Sequence, residues 1–423
     1  MRTAIVGGGA AGFFLAINLK ELCPQMEVTI FEKSKKVLAK VEVSGGGRCN
    51  CTNSFAAVHD LSQVYPRGHR LMKRLFKTFD YRDAYAWFEH HGVRLVTQDD
   101  HCVFPASQDS HTIINLFLYE AKRHNIAIRT ESKIESLDQL KDYDFIAITT
   151  GGMKTSPPEL GKATGRRPSV GNGVRGGLNQ GSFRPLWVPP SLGGKLSTPV
   201  PSLFTFSIAD VALTALMGTV VDDATVFIPG TKLRASGPLL ITHWGMSGPA
   251  ILRLSSYAAR ELHDHQYQMP LAVNWLSKKD PEIMQELQEI IAQHPQKQIT
   301  TIRPFGLPSR LWEYLTQKTL GERASNRWQN LNQKELNRLV NGLSNDPYQI
   351  AGRAPFKDEF VTCGGVSLDA VDPNTLESKT VNGLYFAGEV LDIDGVTGGF
   401  NFQAAWTTAY IVAQAISKKN LEK

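Results

Sequence analysis

The sequence predicts an α/β fold in which a Rossmann-like domain is assembled from both ends of the chain and two smaller domains are inserted. The chain opens with a strand, a glycine turn, a helix and a second strand, and strand-plus-glycine segments return after residue 360. Short apolar runs and then helical periods fill the middle. We expect 1–195 with 360–423 to form the Rossmann-like domain, 198–280 with 346–359 a β-rich, barrel-like domain, and 281–345 a helical domain.

The opening segment has the pattern of a dinucleotide-binding βαβ unit. Strands are expected at Arg2–Val6 and Glu27–Phe31, with a helix over Phe13–Leu22. The turn GGGAAG fits GxGxxG, and Glu32 follows its last glycine by twenty positions, where it can bond ribose hydroxyls. A pyrophosphate would lie on the N–H groups at the start of the helix. The predicted contacts are Gly7, Gly9, Ala10, Ala11, Gly12 and Glu32. A plain turn with a solvated glutamate is the alternative.

A second glycine segment lies at residues 44–53, with the sequence SGGGRCNCTN. Consecutive glycines expose backbone N–H groups without side-chain obstruction, which suits an anion or a planar ring. Arg48 could neutralise a phosphate, and Asn50 and Asn53 could bond a ring edge. The predicted contacts are Gly45, Gly46, Gly47, Arg48 and Asn50. A flexible linker is the alternative.

Two further segments follow apolar strands or precede a helix. An apolar strand at 143–150 runs into glycines, and a second one, at 383–389, ends at a glycine and a glutamate. The final helix, expected from Phe402 to Ser417, is approached through paired glycines, and its N-terminus can stabilise negative charge. The predicted contacts here are Thr150, Gly151, Gly152, Gly388, Glu389, Gly398, Gly399, Phe400, Asn401 and Gln403. A plain helix cap is the alternative for the last segment.

Residues 155–198 differ in composition from the rest of the chain. They contain nine glycines and six prolines and carry +5 of the net charge of +6. Because the rest of the chain is nearly neutral, the net charge does not by itself predict nucleic-acid binding. We expect this segment to be irregular and to supply no main cofactor contacts. Elsewhere, helices are predicted over Arg70–His90, Pro281–His294 and Ser309–Leu343, and a hairpin over Gly92–Val103.

Composition excludes several classes of protein. No apolar run approaches the roughly 18 residues that cross a bilayer, so we expect a cytoplasmic protein without membrane contacts. Five cysteines at irregular spacing predict reduced thiols, and no Cys or His pair with zinc-site spacing supports a metal.

Three features carry weaker predictions. Cys49 and His243 are the candidates for proton transfer, with buried structural roles as the alternatives. Residues 65–79, YPRGHRLMKRLFKTF, read as a basic amphipathic helix, either a solvated face or a nucleic-acid surface.

Several long strings together resemble the BaiN/RdsA-type NAD(P)/FAD-dependent oxidoreductases, which are two-dinucleotide-binding-type flavoproteins. They are GGGAAG at 7–12, KVEVSGGGRCNCTN at 40–53, CVFPAS at 102–107, VPSLFTF at 200–206, LLITHWGMSGPAIL at 239–252, and the stretch from CGGVSLDAVDP to AAWTTAY at 363–410. The resemblance implies FAD, inserted β-rich and helical domains, and substrates that differ between members. Lys40, the first residue of the second string, and Lys33, which follows Glu32, complete the predicted cofactor contacts. The chain departs from the family at 155–198, which an insertion or a local reading-frame disturbance would explain.

The predicted function is reduction of an activated C=C bond by hydride from FAD, with electrons from NAD(P)H. Within this family the substrate is a uridine in ribosomal RNA or a small ring compound, and the sequence leaves that choice, the nicotinamide donor and the oligomeric state open. Two rivals remain. One is an RNA-binding module that holds FAD without redox turnover. The other is a thiol–disulfide flavoenzyme, for which the usual CxxC is missing and only Cys49-Asn50-Cys51 is present.

Overall fold

The computed structural model describes residues 1–152, 196–354 and 361–422. The segment 155–198, which was predicted to be irregular, lies outside the described residues except for its last three. Residues 196–198 begin a strand, so the prediction was wrong for them. The described strands are β1 (Arg2–Val6), β2 (Glu27–Phe31), β3 (Thr52–Asn53), β4 (Leu95–Thr97), β5 (Cys102–Pro105), β6 (Ala127–Arg129), β7 (Phe145–Ile148), β8 (Leu196–Ser202), β9 (Phe206–Ile208), β10 (Val220–Phe227), β11 (Arg234–Thr242), β12 (Gly245–Ser247), β13 (Met269–Asn274), β14 (Asp346–Arg353), β15 (Val361–Val366) and β16 (Leu384–Phe386). The helices are α1 (Ala10–Leu22), α2 (Ala39–Val43), α3 (His69–Leu75), α4 (Tyr81–His90), α5 (His111–Arg123), α6 (Val211–Thr214), α7 (Pro249–Tyr257), α8 (Ala259–Asp264), α9 (Asp280–Gln293), α10 (Ser309–Leu320), α11 (Gln333–Ser344) and α12 (Phe400–Leu421).

A five-stranded parallel sheet in the order β16-β7-β1-β2-β6 forms the Rossmann-type part. Its central strands are apolar and buried, as parallel strands covered on both faces must be. The chain proceeds from β1 to β2 and β6 on one side and later to β7 and β16 on the other. The gap between β1 and β7 is therefore the topological switch point, where open α/β sheets bind ligands at the carboxyl ends of their strands.

Helices from both ends of the chain cover this sheet together. Helix α1 packs along α12. The centroid of the Phe14 ring lies 5.1 Å from that of Trp406 and 4.5 Å from that of Trp87. One hydrophobic core accordingly combines residues between 4 and 148 with residues between 366 and 416.

The inserted region has its own core, made from residues between 206 and 350. Strands β10-β11-β12-β9-β14-β13 close into a barrel, since β13 pairs back onto β10. Helices α9, α10 and α11 pack beside the barrel around Trp312 and Trp328, whose rings stack with centroids 6.2 Å apart. The predicted α/β class with a barrel-like insertion and a helical part is confirmed.

Several helix predictions need correction. The stretch predicted as one helix from Arg70 to His90 is two helices, α3 and α4, because the Asp80 side chain accepts from the N–H groups of Arg82 and Asp83 and starts a new helix. The amphipathic helix predicted over 65–79 is correspondingly only the short α3. The final helix begins at Phe400, two residues earlier than predicted, and extends to Leu421. Within the described ranges, none of the helices combines the length and apolarity needed to cross a bilayer.

Candidate active site

The glycine turn between β1 and α1 lies at the switch point of the sheet. A Cβ on Gly7 would lie 2.4 Å from the Thr149 carbonyl oxygen, and one on Gly12 would lie 2.0 Å from the Gly7 carbonyl oxygen. Both glycines are therefore required by the protein's own packing. A Cβ on Gly9 would meet nothing within 4 Å. Gly9 thus leaves space beside the start of α1, as a pyrophosphate site requires.

Glu32 and Thr149 hold this turn in place. The Glu32 carboxylate accepts from Gly8 N at 2.9 Å and from Ser34 N at 2.8 Å. Thr149 is buried, and its hydroxyl donates to the Gly7 carbonyl at 2.9 Å. The sequence prediction had named the exposed Thr150 and missed Thr149. A hydroxyl residue directly after a buried strand was the signal for it.

Lys40 and Glu389, from distant parts of the chain, form an ion pair at 2.8 Å. The other Glu389 oxygen accepts from Thr362 N at 2.9 Å. A Cβ on Gly152 would lie 2.9 Å from that same oxygen, so Gly151–Gly152 pass beside this pair. Lys33 is exposed. The carboxyl ends of β7 and β16 therefore meet at one charged corner.

Gly388 lies between helices α1 and α12 and contacts both. A Cβ there would lie 2.9 Å from the Ala11 Cβ, and Gly388 N donates to the Thr408 hydroxyl at 2.8 Å. Gly388 and Ala11 therefore act through helix packing, a role that sequence reasoning did not separate from direct contact with a cofactor. Ala10, beside it, is partly exposed at the start of α1.

The triple-glycine loop is open on one side and fixed on the other. Gly45, Gly46 and Gly47 all have positive φ, and a Cβ on Gly46 or Gly47 would meet nothing within 4 Å. Arg48 lies with its guanidinium 4.2 Å from the Phe104 ring centroid and donates to the Gly45 carbonyl at 3.1 Å. Arg48 thus closes the loop on itself.

The triple-glycine segment and the start of α12 are in direct contact. Asn53 Nδ2 donates to the Gly398 carbonyl at 3.0 Å. With the Asn50 amide turned so that its oxygen faces Gly399 N, that N–H donates to it at 3.2 Å. The Thr52 hydroxyl donates to Gln403 Oε1 at 2.6 Å, and Trp406 Nε1 donates to the Cys51 carbonyl at 2.8 Å. Thr52 and Trp406 were not among the predicted site residues.

Phe400 and Asn401 shape the approach to α12. The Phe400 ring is buried edge-on against Phe55, with centroids 5.1 Å apart, so it is a core residue. The Asn401 side chain accepts from Gly395 N at 2.7 Å and donates to the Gly395 carbonyl at 2.8 Å. These contacts explain how the loop before α12 keeps its shape.

The two predicted proton-transfer residues lie in different surroundings. Cys49 is fully buried, and its sulfur lies 3.8 Å from that of Cys51. Burial, with the neighbouring Cys49 thiol, raises the pKa of Cys51 well above its ordinary value. His243 is exposed on the turn between β11 and β12, with its ring centroid 5.0 Å from that of Trp244. The catalytic assignments of Cys49 and His243 stay predictions.

Arg67 and Asp394 form a buried ion pair that the sequence did not indicate. Arg67 Nε donates to Asp394 Oδ1 at 2.6 Å, and its NH1 donates to the Ser256 carbonyl at 2.7 Å. Burial raises the pKa of Asp394 although Arg67 opposes the rise. The pair attaches the loop before α12 to the end of α7. No local pattern could reveal it, because the two residues are 327 positions apart.

These residues fit a bound dinucleotide and define a class of protein. Open space at Gly9, an acidic side chain at the end of β2 and an unobstructed glycine loop surround one edge of a parallel sheet. This is the arrangement of a Rossmann-type dinucleotide-binding enzyme. The described residues contain no cluster of His, Cys, Asp or Glu suited to a metal.

The chain belongs to the family described as HI0933-like protein Rossmann domain, whose model matches residues 1–415. It is 30% identical over 424 residues to the ribosomal RNA dihydrouridine synthase of Escherichia coli (strain K12), covering 97% of this chain and 96% of that protein. It is 26% identical over 428 residues to the 3-dehydro-bile acid delta(4,6)-reductase of Clostridium scindens, covering 99% of each. The protein is an FAD-dependent oxidoreductase, and the predicted family and enzyme class are confirmed.

Two solved structures align over the chain with low identity. A flavocytochrome c3 fumarate reductase in its open conformation has a TM-score of 0.42 at 13% identity, covering 99% of this chain and 78% of that one. The 3-ketosteroid delta1-dehydrogenase of Sterolibacterium denitrificans has a TM-score of 0.42 at 10% identity, covering 99% of each chain.

Proposed function

We propose that this enzyme is an NAD(P)H-linked reductase that adds hydride to the activated C=C bond of a uridine in ribosomal RNA. The observation that carries the proposal is the end-to-end similarity to a protein named ribosomal RNA dihydrouridine synthase. A small ring compound with a conjugated C=C bond is the second candidate, favoured by the similarity to the bile acid delta(4,6)-reductase. Both reactions reduce a polarised double bond, so the same residues would serve either.

The residues of this chain would divide the work between binding and electrostatics. The start of α1 beside Gly9 would hold the pyrophosphate, and Glu32 would bond a ribose. Gly46 and Gly47 would lie against the ring without a side chain between them. The N-terminus of α12 would stabilise negative charge that develops near it. FAD, when bound, takes two electrons from a nicotinamide and supplies them as hydride.

The nicotinamide would visit the site and leave again. The GxGxxG at residues 7–12 follows an apolar strand and opens a helix, whereas the second match, GNGVRG at 171–176, lies in the Gly/Pro/Arg-rich segment and follows no apolar run, so it does not predict a site for a resident nicotinamide nucleotide. We therefore propose that NADH or NADPH occupies the substrate side of the ring before the substrate does.

Anaerobic mixing tests this proposal in two steps. FAD-loaded protein is mixed first with NADH or NADPH, and loss of flavin absorbance reports reduction. The reduced protein is then mixed with a uridine-containing ribosomal RNA fragment or with a conjugated cyclic enone, and the return of absorbance reports transfer to the acceptor. Return with the RNA alone supports the first candidate, and return with the enone alone supports the second. Failure of both nucleotides to reduce the flavin would refute the electron donor.

The proton donor is tested on Cys49. We expect Cys49→Ser to keep its FAD and to lose less than about tenfold in the rate of flavin reoxidation, because the sulfur is enclosed against Cys51. Loss of a true general acid slows a reaction by about 10²- to 10⁴-fold. The rate is measured by stopped flow after full reduction, with Cys51→Ser as the matched variant. A loss in the larger range would make Cys49 the donor; otherwise His243→Asn is the next variant.

A further inference from the structure

The outer face of α3 and the residues after it form a basic surface. Four cations are exposed: Arg70, Lys73, Arg74 and Lys77. The apolar residues between them, Leu71, Met72 and Leu75, are buried. In the part of the chain that the structure describes, none of these four cations forms an ion pair with a carboxylate, and Arg74 bonds the neutral Asn374 side chain at 3.1 Å. Their charge is available to an external partner.

The four cations surround a hollow of about 490 Å³. Thr78 and Asn374 complete its lining, and no carboxylate contributes to it. Two carboxylates lie nearby. Asp60 accepts from Ser62 N, and this bond, with Lys73 at longer range, lowers the pKa of Asp60, while Asp372 accepts from Asn374 N and Thr375 N. A hollow lined by cations and amide or hydroxyl groups matches the oxygens of phosphate groups.

A second hollow, of about 400 Å³, adjoins the same stretch of chain. Its lining includes four cations, Arg67, Lys232, Arg234 and Arg260, and one acid, Glu261. Because residues 62–67 directly precede α3, the two hollows flank one continuous segment. We call the four cations around the first hollow, with Lys232 and Arg234 of the second, the basic track.

The segment between the hollows is bonded to the loop before α12. Val396 N donates to the Val64 carbonyl at 2.9 Å, and the Tyr65 hydroxyl donates to the Phe400 carbonyl at 2.8 Å. Arg67 joins the same loop through Asp394. A polyanion lying along the basic track would therefore pass beside the loop that opens α12.

We propose that the basic track binds the phosphate backbone of an RNA and so presents one of its bases to the candidate active site. The inference rests on the proposed function and deepens it, since it selects RNA over a small ring compound. A small ring compound would occupy the site alone and gain nothing from cations spread over two hollows. An RNA neutralises several of them at once and releases its counterions, which strengthens binding at low salt.

The test compares two variants that each remove four positive charges. The track variant carries Arg70→Gln, Lys73→Gln, Arg74→Gln and Lys77→Gln. The control carries Lys122→Gln, Lys141→Gln, Lys297→Gln and Lys334→Gln, four exposed lysines outside the basic track. Binding of a fluorescein-labelled, uridine-containing ribosomal RNA hairpin is measured by anisotropy across a series of KCl concentrations. A third variant, in which Arg and Lys are exchanged at the four positions substituted in the track variant, keeps the charge.

The track variant is expected to bind the hairpin at least tenfold more weakly at low salt than the control. The slope of log K against log [KCl] should fall by about 3, because each lost phosphate contact removes roughly 0.7–0.9. The charge-preserving variant should bind as the unmodified protein does. Equal weakening of the track and control variants would overturn the proposal. Binding to anionic phospholipid vesicles in preference to the hairpin would overturn it as well.

The same samples separate this inference from the proposed function. FAD content and the rate of flavin reduction by NADH or NADPH are measured without RNA and should be equal in all variants. If the protein binds the hairpin through the basic track but neither nucleotide reduces its flavin, the proposed electron donor is wrong and the proposed RNA-binding surface is still supported. A protein that is reduced normally but binds the hairpin equally well without the track refutes the RNA surface alone.

Discussion

At the scale of single residues, the glycines of one turn have separable roles. Gly7 and Gly12 are required by the chain's own backbone, because a Cβ on either would overlap a carbonyl oxygen. Gly9 has an extended backbone with φ −97°, and a side chain there would point into open space. The GxGxxG spacing predicted all three glycines as cofactor contacts, whereas the overlaps at Gly7 and Gly12 show that these two positions are required by packing within the protein.

This separation predicts opposite effects for two substitutions in the turn. Gly9→Val should fold with nearly unchanged thermal stability and lose its FAD, because the side chain occupies the proposed pyrophosphate position. Gly12→Ala should lower the free energy of unfolding by about 1–3 kcal/mol, because the added methyl group overpacks against Gly7. FAD absorbance per protein and the unfolding midpoint of the flavin-free protein are measured for both. Full FAD retention in Gly9→Val would place the pyrophosphate elsewhere.

At the scale of elements, periodicity predicted the positions of most helices and strands but not where a helix is interrupted. The βαβ unit was predicted from local residues and is present. The break between α3 and α4 was missed because apolar residues recur at helical spacing on both sides of it. The signal lay in Asp80 and Asp83, whose spacing permits the capping box that the structure contains.

The Asp80 cap predicts a stability effect that depends on pH. Burial raises the pKa of Asp80, but hydrogen bonds from Arg82 and the backbone outweigh it and leave the pKa below its ordinary value. The ionised cap therefore stabilises the fold at neutral pH, and this contribution is lost as the pH falls through the lowered pKa. Asp80→Ala should reduce the free energy of unfolding by about 1 kcal/mol at neutral pH.

Urea unfolding at several pH values checks the Asp80 prediction. The difference between Asp80→Ala and the unmodified protein should shrink below roughly pH 4, where the free carboxyl group becomes protonated. Asp80→Asn is the matched control, since it keeps an acceptor at the cap and should lose the pH dependence. A difference that stays constant on acidification would show that the carboxylate charge contributes nothing at this cap.

At the scale of the whole molecule, the site consists of pairs that no local pattern could predict. Thr52 meets Gln403 across 351 positions, and Asn53 meets the Gly398 carbonyl across 345. Each glycine segment is visible in the sequence because glycine spacing is a local signal. The partner opposite each segment is not, since it depends on how α12 lies on the triple-glycine segment. A barrel-like insertion was predicted, but the pairing of β13 with β10 that closes it has no local signal in the sequence.

The division of the first core between both chain ends predicts the behaviour of a shortened protein. A fragment ending at residue 354 keeps every residue of the second core but loses β15, β16 and α12. It should bind no FAD although it keeps the complete GxGxxG turn, because Gly388 and the start of α12 are gone. The barrel and its helices should still unfold cooperatively, followed by the fluorescence of the buried Trp312 and Trp328. Stoichiometric FAD in this fragment would show that the C-terminal segment lies outside the binding site, whereas a fragment without any cooperative transition would show that the second core depends on the first.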